Sequence, residues 1–95
     1  MTNQHEPRAN KDVVNKALRH INHHGGEYAD WYVGIEDAGS DRNQDEKCLA
    51  RHHLASEAEA KLTMSRLLEL GLQADDEYGA EPTILFVYTR RQAAE

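Results

Sequence analysis

The chain has 95 residues, 39% of them apolar and 29% charged, with a formal net charge of −6 and one cysteine. That describes one domain around a single small core. It excludes a membrane span, which needs ~20 apolar residues in a row, and an intrachain disulfide, so a reducing, cytoplasmic setting is expected. The opening stretch MTNQHEPRAN has no apolar segment after its charges and does not read as a secretory signal.

Charge is spread unevenly. Residues 1–26 carry four basic and two acidic side chains, residues 27–82 five basic and fourteen acidic, and residues 83–95 return to +1. The middle of the chain would repel a phosphate backbone, so nucleic-acid binding is disfavoured. A local basic patch from Arg8, Lys11, Lys16, Arg19, Arg90 and Arg91 stays open as an alternative.

In chain order, residues 1–9 read as a loose tail. Asn10 suits an N-cap, with Asp12 in the first turn where the helix dipole favours negative charge. Val13, Val14, Ala17, Leu18 and Ile21 share one 140° stripe at 100° per residue, which predicts a helix over 11–23 with one buried face. Gly25-Gly26 ends it. Trp31 to Ile35 is aromatic and β-branched and predicts a strand, with Trp31, Val33 and Ile35 on one face and Tyr32 and Gly34 on the other. The stretch EDAGSDRNQDE, 36–46, reads as a loop.

Residues 47–54, KCLARHHL, predict a second strand. Cys48, Ala50, His52 and Leu54 fall on one face, and Leu49, Arg51 and His53 on the other. Ser56 and Glu59 form an S-x-x-E capping pair in which each side chain satisfies a backbone donor of the other. The helix it opens places Ala60, Met64, Leu67, Leu68 and Leu70 on one side and ends at Gly71. Leu62 falls on its polar side. QADDEYGAEP, 73–82, reads as an acidic loop. TILFVYT, 83–89, is apolar on both faces, as a covered or central strand is. RRQAAE is a tail. The order α-β-β-α-β implies an α+β two-layer sandwich over residues 10–91: a three-stranded, largely antiparallel sheet with two helices mainly on one face.

Candidate chemistry is sparse. His20, His23 and His24 share the last turn of the first helix, where paired imidazoles are a candidate zinc or nickel site. The plainer reading is a helix C-terminus favouring groups that can turn positive. Cys48 and His52 on one strand stand about 13 Å apart, too far for thiol–imidazole activation. In the two acidic loops the carboxylates lack the spacing of a calcium loop. No phosphate-cradling, dinucleotide or nucleophile-elbow motif occurs, and no cofactor is implied.

The run Trp31-Tyr32-Val33-Gly34-Ile35 resembles the second half of the GIY-YIG nuclease-like motif. Over about residues 12–89 the chain is similar to small bacterial proteins with a short N-terminal helix, a W-Y-[IV]-G-[IV] strand, an S-x-E-opened helix ending in glycine, and a closing strand. The resemblance implies a tyrosine pair, a helical arginine and a metal-binding glutamate acting on a phosphodiester. Tyr32, Arg42 and Glu59 are the nearest equivalents. The chain departs from the pattern in three places. Tyr28 lies only four residues before Tyr32, Arg42 sits in a loop, and Met64 stands where the acidic residue is expected. A phosphodiester site needs a metal, an activated nucleophile and stabilised developing charge. The leading expectation is therefore a non-catalytic domain that binds a protein partner or a second copy of itself, with Tyr32, Leu62, Arg90 and Arg91 as contact residues. One route would pair strand 84–88 with its copy at a sheet edge. A divergent metal-dependent nuclease is the alternative.

Overall fold

The computed structural model describes residues 8–39 and 47–89, apart from the side chains of Lys47, Cys48, Asp76 and Tyr78. Asn10 caps helix α1 (Lys11–His24) as its sequence position suggests, its Oδ1 accepting from the Val13 N–H at 3.1 Å. Val13, Val14, Ala17 and Ile21 are buried along the predicted stripe, and Leu18 packs partly against the same core. Gly25 closes the helix with φ +90°, a left-handed conformation, and its N–H returns to the Ile21 carbonyl. A 3-10 turn at Tyr28–Asp30 then leads into β1 (Trp31–Glu36).

Helix α2 (Glu57–Glu69) opens on Ser56, whose hydroxyl accepts from the Glu59 N–H at 3.1 Å. The return half of the cap lies one residue earlier than the S-x-x-E pattern predicts. Glu59 accepts from the Ala55 N–H at 2.7 Å. Ala60, Met64 and Leu67 are buried as expected, and Thr63 joins them fully buried. Its hydroxyl is satisfied twice, donating to the Glu59 carbonyl and accepting from the Asn10 N–H at 2.9 Å. That second bond ties the start of α1 to α2.

The sheet corrects the three-strand expectation. Its four strands are β1, β2 (Lys47–His53), β3 (Gln73–Tyr78) and β4 (Ile84–Thr89), in the order β2-β4-β1-β3. Residues 73–78, read from sequence as part of an acidic loop, form an edge strand parallel to β1. An edge strand buries little side-chain surface and is held by backbone hydrogen bonds, so its composition carries no apolar alternation. Leu72, 5% exposed, anchors it to the core at its start. The sheet is mixed: β4 pairs antiparallel with β1 and with β2, while β1 and β3 are parallel.

β4 is central, which explains its two apolar faces and rules out the proposed pairing of that strand with its copy at an edge. All six of its residues are buried. The loop leading into it crosses the end of β1, where the Thr83 N–H reaches the Glu36 carbonyl at 3.1 Å and the Asp37 carboxylate accepts from the Glu81 N–H at 3.0 Å. Both helices lie on one side of the sheet. Their buried stripes join Trp31, Val33, Ile35, Leu85 and Val87 in one core. Trp31 is satisfied there, its indole N–H donating to the Gly25 carbonyl at 3.2 Å.

Candidate interaction face

Strand alternation turns Tyr32 and Glu36 away from the helices, together with Ile84, Phe86 and Tyr88 on β4. Tyr32 stands directly opposite Tyr88, and the rings stack at 5.5 Å with planes 16° apart. Phe86 continues the stack at 6.0 Å. Gly34 is opposite Phe86 in register, so no side chain from β1 competes with the ring there. The Tyr88 hydroxyl donates to the Asp75 carboxylate on β3.

At the other side, Arg51 on β2 reaches across β4 and donates from Nε to the Glu36 Oε2 at 2.9 Å. The Glu36 side chain is 1% exposed and that of Arg51 34% exposed. The face therefore runs from a cation on one edge strand to a carboxylate on the other, with Ile84, Phe86 and Tyr88 between them buried at 0–1% exposure. Tyr32 is half-buried and its ring forms part of the surface.

The helix side carries a different cluster. His20 and His24 meet edge-on at 4.6 Å, His24 and His23 at 5.1 Å, and His20 lies 5.6 Å from Trp31. His52 projects from β2 toward α1, and its Nε2 is buried with no hydrogen-bond partner among the described residues. Burial, and then the nearby His20 and Lys16, lower its pKa below the ordinary 6.5. His24 is lowered in the same direction by desolvation and by His20 and His23. Among the described residues no group of three or more His, Cys, Asp or Glu side chains is placed to hold a metal ion.

The residues singled out from sequence do not form one site. Tyr32 faces the helix-free side. Leu62, 40% exposed, lies on α2 on the far side of the sheet. Glu59 is occupied by the α2 cap and lies 3.4 Å from the Asn10 amide, again on the helix side. Arg42, Arg90 and Arg91 lie outside the described residues, as does the Cys48 side chain. Glu36 and Arg51 form the most tightly built pair of the face, whereas the sequence alone puts Glu36 in a loop and Arg51 on a strand face with Leu49 and His53. Period-2 alternation places Glu36 with Tyr32, but nothing local reports a partner two strands away.

No protein-family model matches this chain, and no curated protein or solved structure does so either. Among the described residues no helix is long and apolar enough to cross a membrane.

Proposed function

We propose that this protein is a non-catalytic binding domain that associates with a second copy of itself through the helix-free face of its sheet. The observation that carries the reading is the order of chemistry across that face: Arg51 on β2, the Tyr88–Tyr32 stack on β4 and β1, and Asp75 on β3. A two-fold axis parallel to the strands lays β2 of one protomer over β3 of its partner. Arg51 then meets the acidic edge, and Tyr32, half-buried, is the aromatic that reaches the partner, since Tyr88 and Phe86 beside it are 0% exposed. The face is thus complementary to itself, as an isologous dimer requires. Tyrosine and arginine are also the residue types that carry most binding energy in interfaces.

Edge-to-edge pairing fits less well. β2 carries Lys47, Arg51 and two histidines, and β3 carries Asp75, Asp76 and Glu77. Each edge would meet its own charge in a symmetric strand pair, which opposes association. Four strands of about six residues give a footprint of roughly 400 Å² per partner, below the ~800 Å² of a standard interface. With −6 on each protomer, a weak, reversible dimer follows, with a dissociation constant on the order of micromolar or above.

Light scattering across the micromolar range tests this, with a concentration-dependent rise toward twice the protomer mass expected. A strict monomer at high micromolar concentration would remove the dimer. Magnesium- or manganese-dependent nicking of DNA that Tyr32→Phe abolishes would replace the binding reading with the divergent GIY-YIG-like nuclease, in which Tyr32 is the reacting side chain.

A further inference from the structure

We infer that the groove between the N-terminal turn of α1 and the adjacent side of α2 binds a small phosphate-bearing anion. Its lining is Arg8, Ala9, Lys11, Val14, Asn15 and Arg66. Lys11, Val14 and Asn15 follow the i, i+3, i+4 spacing of one helix face, and Arg66 comes from α2. The junction is fixed by the Asn10–Thr63 hydrogen bond at 2.9 Å and the Asn10–Glu59 contact at 3.4 Å.

Charge marks the groove as a site. The chain has 17 acidic and 11 basic residues, yet three cations and no carboxylate are among the described residues lining this concavity. Arg8 and Lys11 make no ion pair among the described residues. Arg66 meets Glu69 at 3.1 Å, but both side chains are more than half exposed, so the pair is weak and leaves the rest of the guanidinium fork available.

Three separate cations suit a ligand with more than one negative charge, and the arginine fork matches phosphate oxygens two at a time. Val14 and Ala9 supply an apolar wall for an organic portion. A long polyanion would run out of the groove and over the acidic remainder of the surface. A small anion held in the groove meets the three cations that line it and little of that acidic surface. The groove is on the helix side, so it neither uses nor blocks the aromatic face.

Titration with inorganic pyrophosphate tests the site, read by calorimetry and by amide and arginine Nε shifts on the full chain. Saturable binding is expected, with shifts centred on Lys11, Asn15 and Arg66. Arg66→Ala and Lys11→Ala should each weaken it by about tenfold. Lys16→Ala and Arg19→Ala, which remove α1 cations outside the groove, should leave it unchanged. Shifts of equal size at Lys16 and Arg19, an unaffected Arg66→Ala, or the same response to chloride at matched ionic strength would overturn the proposal.

Discussion

Arg51 and Glu36 are joined across an intervening strand. The arginine on β2 passes over β4 to donate at 2.9 Å to a carboxylate that ends β1 and is 1% exposed. Removing one member of such a pair leaves the other poorly solvated, whereas removing both does not. Arg51 is itself about one-third exposed, which moderates the effect. Arg51→Met is expected to cost about 2 kcal/mol. The double variant Arg51→Met, Glu36→Leu should cost clearly less than the sum of the single changes. Urea denaturation of the four-member cycle measures this, and additive losses would contradict the coupling.

A second coupling joins Asp37 to Gly79. Gly79 has φ +102°, and a β-carbon there would overlap the Asp37 carboxylate. That carboxylate holds the Glu81 N–H and so fixes the loop crossing the end of β1. Gly79→Ala should therefore cost about 2–3 kcal/mol, part from backbone strain and part from the displaced carboxylate. In an Asp37→Ala background only the backbone share remains, about 1 kcal/mol. Equal losses in the two backgrounds would show that the overlap is relieved without consequence.

His52 gives the fold a pH dependence with a definite sign. Its pKa is lowered below 6.5 in the folded state, by burial first and then by His20 and Lys16 on the facing helix. Below that value the unfolded chain binds a proton that the folded chain resists. Stability is therefore full above about pH 6.5, falls as pH drops through it, and levels off below the folded pKa, with a slope of at most about 1.4 kcal/mol per pH unit for each proton. His24 acts in the same direction. His52→Leu should flatten the fall in urea-melt midpoints as the pH drops below about 6.5. An unchanged slope would assign the dependence elsewhere.

Much of the architecture is legible in the sequence because burial writes a period into it. The stripe from Val13 to Ile21, the N-caps Asn10 and Ser56, the alternation from Trp31 to Ile35 and the two-sided apolar strand at 84–88 each carry their own signal. Residues 73–78 carry none. Their strand is specified by the backbone of β1 beside it, and Asp75, Asp76 and Glu77 look like loop. The location of β4 between β1 and β2 is likewise a property of the chain path. The candidate face is legible only in part: Tyr32 is placed on its side by alternation, but its stacking on Tyr88 and the Arg51–Glu36 bridge join residues far apart in sequence.

The dimer makes Tyr32, the half-buried member of the tyrosine stack, an anchor. Tyr32→Ala keeps every helix and core contact on the other side of the sheet, so the variant should fold, with a modest loss of stability of about 1–2 kcal/mol. Its association should weaken by tenfold or more, since truncating a central aromatic typically costs upwards of about 1.4 kcal/mol in binding. Sedimentation equilibrium of wild type and variant, with circular dichroism as the control for folding, reads both quantities. Leu62→Ser, on the far side, should leave association unchanged.

The most direct measurement is a dilution series of backbone amide spectra on the wild-type chain. If protomers meet through the helix-free face, resonances of Tyr32, Arg51, Asp75 and their strand neighbours move together with concentration and fit one dimer constant, while those of α1 and α2 stay fixed. Concentration-dependent shifts on the helices, or none anywhere as the protein is concentrated, would contradict that interface.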